Sequence, residues 1–106
     1  MFEAIRSLFQ MGNETDYAAL LGNGAQIIDV RTPGEFAGGH IKGSVNIPLD
    51  ALQRQLSKIK KNKPVITCCA SGMRSGSAKT ILQTSGFTEV YNGGGWMSLE
   101  QKLKKG

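Results

Sequence analysis

Short apolar runs alternate with amphipathic stretches along this chain. Gln26-Ile27-Ile28-Asp29-Val30, Ser44-Val45-Asn46-Ile47, Pro64-Val65-Ile66-Thr67-Cys68 and Glu89-Val90-Tyr91 are short, rich in β-branched residues and bounded by Gly, Pro or Asn. Such runs read as buried strands of an α/β sheet. Between them, Leu49, Leu52, Leu56 and Ile59 recur at helical spacing behind Pro48, with Asp50 available as a cap. Ala78, Ile81 and Leu82 form a second helical stripe, stopped by Gly86 where a helix C-cap favours glycine. Trp96, Leu99 and Leu103 predict a last helix, and residues 1–22 read as an N-terminal helical segment. Strands alternating with helices imply a largely parallel sheet covered on both faces. Active sites of such sheets form at the carboxyl ends of strands, which singles out the segment immediately after Val65–Cys68.

The 106 residues suit one compact domain, residues 1–106, with no repeat or linker-like stretch to divide it. Thirteen Lys and Arg against eight Asp and Glu leave a formal charge of +5. Much of the excess lies in Lys58-Ile59-Lys60-Lys61-Asn62-Lys63 and in Lys102 to Lys105, read as solvated helix ends. No aromatic residues interleave with those lysines, so a nucleic-acid surface is not expected. The positive balance suits a small anionic substrate. Phe2, Ile5, Leu8 and Phe9 are interrupted by Glu3, Arg6 and Gln10, which predicts an amphipathic helix and neither a leader nor a membrane segment. The expected location is cytoplasmic, or periplasmic if a leader has been removed, and a monomer is expected.

The two cysteines, Cys68 and Cys69, are adjacent. Neighbouring Cα atoms lie about 3.8 Å apart, too close for the usual disulfide span, so two free thiols need explaining. After them comes Ala70-Ser71-Gly72-Met73-Arg74-Ser75. A cysteine leaving a buried strand, a tight loop at Gly72 and a helix starting near Arg74 or Ser75 would turn backbone N–H groups toward the sulfur. The helix start would add its positive dipole end. Free cysteine ionises near pH ~8.5, and such settings lower that value. Cys69 is therefore the expected nucleophile, while Cys68 continues the strand as a buried core residue.

Cys69-x-x-Gly72-x-Arg74-Ser75 after a strand resembles the active-site loop of the rhodanese family. Asp29-Val30-Arg31-Thr32-Pro33-Gly34-Glu35-Phe36, continuing through Gly39-His40-Ile41-Lys42-Gly43 to Pro48, is similar to a second hallmark of that family. Gly86-Phe87 and Val90-Tyr91-Asn92-Gly93-Gly94-Gly95-Trp96 resemble its closing segment. The likeness covers residues 26–98. It implies a rhodanese-like three-layer α/β domain, with a small parallel sheet covered by helices on both faces. It also implies a sulfurtransferase that takes a sulfane sulfur from thiosulfate or a persulfide donor and passes it to a thiol or cyanide. Carried onto this chain, Cys69 holds the sulfur. Ala70, Ser71, Gly72, Met73, Arg74 and Ser75 form its cradle, with Arg74 aiding anion binding. No cofactor is implied. With one histidine and two adjacent cysteines, a four-ligand His/Cys zinc site is not available either.

Two other readings stay open on the residues. Related dual-specificity phosphatases carry Cys-x5-Arg, a count that fits Cys68 to Arg74 but not Cys69 to Arg74. Such loops place glycine three residues after the nucleophile, and Gly72 is three after Cys69. The other alternative is a non-catalytic rhodanese-like binding or regulatory module, which typically lacks the loop cysteine. Of the supporting residues, Asp29 is expected to accept hydrogen bonds from the loop or to tie strand to loop, and Arg31 to pair with a carboxylate such as Glu35. His40 reads as framework and Trp96 as core or pocket wall. Met73 is expected to point outward, and the three glycines before Trp96 to make a flexible turn allowing close backbone approach to the loop.

Overall fold

The computed structural model describes residues 15–105. The amphipathic helix expected for residues 1–11 lies outside them. The elements run α1 (Tyr17–Gly22), β1 (Gln26–Asp29), α2 (Pro33–Ala37), β2 (Val45–Asn46), two 3₁₀ segments (Leu49–Arg54 and Leu56–Lys58), β3 (Val65–Cys69), α3 (Met73–Thr84), β4 (Val90–Gly95) and α4 (Trp96–Lys105). The strands form one sheet in the order β2-β1-β3-β4, with every pairing parallel. The α/β architecture expected from the alternating pattern is therefore the one observed.

Side chains alternate across a strand, and the core divides accordingly. Ile28 of β1, Val65 and Cys69 of β3 and Val90 of β4 join Leu52, Ile59, Ala78, Leu82 and Phe87 on one face, under the 3₁₀ segments and α3. Ile27, Ile66 and Cys68 join Tyr17 and Leu99 on the other, under α1 and α4. Both faces of β3 are apolar, which is why the strand reads as a continuous run rather than an alternation.

Two elements differ from the sequence reading. The segment expected as one helix from Leu49 to Ile59 is two 3₁₀ turns, broken at Gln55, and no side-chain hydrogen bond caps it at Pro48. Its apolar spacings of three, four and three suit two three-residue repeats with a break between them, because residues i and i+3 eclipse in a 3₁₀ turn. The glycines expected as a flexible turn instead extend β4, which pairs with β3 as far as Cys69↔Gly95. Between Thr67↔Asn92 and that pair β4 carries one residue more than β3, an irregularity of the bulge type beside the loop.

Candidate active site around Cys69

Cys69 is the last residue of β3, and Gly72 caps α3 three residues later with φ of +106°. A side chain at that position would strain the backbone, so glycine is what permits so abrupt a return into a helix. The turn brings two amides onto the sulfur. Gly72 N–H donates to Cys69 Sγ at 2.9 Å and Ser75 N–H at 3.3 Å. Close packing of the neighbouring strand holds the loop from below, where a Cβ on Gly95 would sit 2.9 Å from the Ala70 carbonyl oxygen. The expected close backbone approach thus holds, through a strand rather than a mobile turn.

Burial opposes ionisation of Cys69. The Ser75 hydroxyl and the amides of Ser75, Gly72 and Ser71 outweigh it and bring the thiol below its ordinary value. The start of α3 acts in the same direction. Cys68, one residue earlier, faces the opposite core. Burial, with the Asp29 carboxylate adding to it, pushes that thiol up to about 12. The chain therefore places one ionisable and one inert thiol side by side. Cys69 has no exposed surface, so a donor must displace part of the cover over the sulfur to reach it.

Ser75 has a larger part than its place in the loop suggested. Its buried hydroxyl lies 3.4 Å from Cys69 Sγ, 3.1 Å from the Gly72 carbonyl and 2.6 Å from Asn92 Oδ1. A hydroxyl has one proton to give. While Cys69 is a thiol it donates to Ser75 Oγ, which donates to Asn92. Once Cys69 is ionised, the serine proton is free to turn to sulfur. Asn92 also accepts the Gly94 N–H at 2.9 Å, tying β4 to the same network. Asn92 stood in the closing segment read from the sequence but was given no role there, its one signal being a polar residue inside an otherwise apolar and glycine-rich strand.

The supporting charges pair differently from the expectation. Arg31 does not pair with the Glu35 carboxylate. Its guanidinium grips Asp29, with Nη2 at 2.7 Å from Oδ2 and Nε at 2.9 Å from Oδ1. It also donates to the backbone carbonyls of Gly39 and Glu35 and lies 4.8 Å from the Trp96 ring. The described hydrogen bonds to the Asp29 carboxylate come from Arg31 rather than from the Cys69 loop. Residues two apart on a chain leaving a strand are near enough to close this pair locally, and burying both ions together avoids stranding either. Asp29 and Arg31 thus tie strand to loop.

Glu35 instead takes Arg74. Nη1 lies 2.8 Å from Oε1 and Nη2 3.0 Å from Oε2, in a partly exposed bidentate pair. Hydrogen bonding from Arg74 first, and from Thr32, holds the Glu35 carboxyl down at about 2. Met73 points outward with 80% of its surface exposed, as expected. His40 stacks on Phe36, with Nδ1 2.7 Å from the Phe36 carbonyl, which suits a framework role. Among the described residues no group of His, Cys, Asp or Glu could hold a metal ion, and no helix is long and apolar enough to cross a membrane.

The sequence and the fold of this chain both have counterparts among known proteins. The family model of the rhodanese-like domain matches residues 13–102. This chain belongs to the rhodanese-like family. It is 47% identical over 81 residues to YqhL of Bacillus subtilis (strain 168), covering 76% of this chain and 64% of that protein. It is 37% identical over 81 residues to the thiosulfate sulfurtransferase PspE of Escherichia coli (strain K12), covering 74% of this chain and 78% of PspE. Among solved structures, a rhodanese with anions from E. coli superposes with a TM-score of 0.64 at 39% identity, covering 69% of this chain and 88% of the other. The rhodanese-like fold inferred from three separated motifs is thus the fold of the chain.

Proposed function

We propose that this rhodanese-like chain is a sulfurtransferase that carries a sulfane sulfur as a persulfide on Cys69. The observation that carries the reading is the convergence of the Gly72 and Ser75 amides, at 2.9 and 3.3 Å, on one cysteine sulfur. A ring of donors around a single sulfur suits a thiolate before transfer and a persulfide anion after it. Relatives named thiosulfate sulfurtransferase support the same chemistry.

The reaction is a double displacement. The Cys69 thiolate attacks the outer sulfur of the donor. With thiosulfate the donor S–S bond breaks, sulfite leaves with the electron pair, and Cys69 becomes a persulfide anion. A thiolate or cyanide then attacks the outer sulfur, the enzyme's S–S bond breaks, and its electron pair returns to Cys69. Every species is an anion and no proton has to move, which fits a site whose only histidine hydrogen-bonds elsewhere. Four residues separate Cys69 from Arg74, so the amide ring is sized for a terminal sulfur rather than a tetrahedral phosphoryl group.

Intact mass before and after thiosulfate tests the reading. The expected result is one added sulfur atom on the wild type and on Cys68→Ser, and none on Cys69→Ser. Failure of the wild type to load sulfur from thiosulfate or from an organic persulfide would favour a non-catalytic module.

A further inference from the structure

The mouth beside the Cys69 loop has an electrostatic arrangement that the transfer reaction does not require. Two arginines stand near it, and each has a carboxylate partner. Arg31 is consumed by buried Asp29, and Arg74 is held in a bidentate grip by Glu35. Glu35 is itself fixed, because it closes a capping box with Thr32 at the start of α2. Next to Arg74 opens a cleft of about 280 Å³, lined by Val30, Thr32, Pro48, Leu49, Asp50 and Arg74. Its wall is largely apolar, its one cation is already paired, and it carries a second carboxylate in Asp50. An incoming dianion thus meets an arginine whose charge Glu35 already offsets, with the Asp50 carboxylate on the same cleft.

We infer that Glu35 is a specificity-determining residue which, by pairing with Arg74, tunes the site toward sulfane donors of low charge and against dianions. Resting on the sulfurtransferase reading, the inference names the preferred donor class as persulfides and thiosulfonates bearing one negative charge or none, with an apolar substituent for the cleft. Glu35 acts through Arg74 and touches no reacting atom. Exposed ion pairs are modest interactions, so the expected discrimination is about two- to fivefold rather than orders of magnitude.

Glu35→Gln separates charge from structure, since glutamine also serves at the third position of a capping box. The donors to compare are thiosulfate and benzenethiosulfonate, which share the same outer sulfur and differ by one charge. The expected result is a two- to fivefold rise in kcat/KM for thiosulfate, carried by KM, with benzenethiosulfonate changed less than twofold. The thiosulfate gain should shrink as salt rises. A parallel fall for both donors, or no change for either, would overturn the inference. A second readout does not depend on sulfur transfer. It is the rate of Cys69 alkylation by anionic iodoacetate relative to neutral iodoacetamide, mapped by mass. Glu35→Gln should raise that ratio by about the square root of the thiosulfate factor, because iodoacetate carries one charge rather than two, and an unchanged ratio sinks the idea even if transfer is intact. Should neither donor load the wild type, the sulfurtransferase reading fails while the alkylation ratio still decides the role of Glu35.

Discussion

Cys68 and Cys69 are the same residue type on neighbouring positions of one strand, and they have opposite chemistry. Cys68 faces the core built by Tyr17, Ile27, Ile66 and Leu99, with no exposed surface and a thiol pushed up to about 12. Cys69 is equally closed to solvent but lies less deep, and its thiol is lowered. Closure to solvent alone therefore does not decide reactivity here. Orientation does, because a strand turns successive side chains to opposite faces. Only one face meets the start of α3 and its amides.

The sharpest break of that comparison is chemical. Near neutral pH, iodoacetamide should modify Cys69 and leave Cys68 untouched, with peptide mapping as the readout. Modification of Cys68 in the folded protein would show that the opposite face is open to reagents, and the contrast would collapse.

Next in size is the hydroxyl beside the sulfur. Ser75→Ala removes a donor to the thiolate, so the pH–rate profile for Cys69 alkylation should move upward. A hydrogen bond to a charged group contributes about 1.5–3 kcal/mol, and the higher nucleophilicity of a more basic thiolate offsets about half of the lost ionisation, so the rate below the thiol's pKa should fall at least about threefold. An unmoved profile would leave the amides as the sole cause of the lowered value.

Close approach of β4 to the loop is testable through stability. Gly95→Ala places a Cβ 2.9 Å from the Ala70 carbonyl oxygen, and such overpacking typically costs about 1–3 kcal/mol. Denaturant melts should report that loss, with slower sulfur loading as the loop shifts. A variant as stable as wild type would contradict the tight register at Cys69↔Gly95.

A separate effect, confined to alkaline pH, concerns Cys68. Its thiol is raised from 9.0 to about 12 in the folded protein, so the folded state keeps a proton that the unfolded chain releases. Stability from this group is present below about pH 9 and is lost as pH climbs toward 12. Cys68→Ala should therefore lose less stability than wild type between those values, while retaining sulfur loading. Melts at matched alkaline pH would check it, and identical alkaline slopes would remove the assigned cause.

Strand positions, the place of Cys69 at a strand end and its glycine were legible in the sequence because each is a local pattern. Val65 to Cys68 is an apolar run, and Gly72 three residues after Cys69 is a matter of counting. Charge pairing was not legible. From sequence alone Glu35 stood four positions from Arg31, a natural partner, while Arg74 lay 39 residues away and carries the pair instead. Gly72 and the run Gly93-Gly94-Gly95 both read locally as turns. The first lies in the loop over Cys69, and the other became strand because β3 offered it a partner edge.

Local chemistry, spacing and hydrophobic period thus determined that this chain forms a small parallel α/β sheet with a cysteine at the end of its third strand. Those features arise from residues within one element, or one turn, of each other. Tertiary structure alone decided that Glu35 meets Arg74, that Asn92 and Ser75 form a relay beside the sulfur, and that β4 continues through its glycines. Each of these joins residues 17 or more positions apart, and such contacts exist only once the sheet has fixed the distance between them.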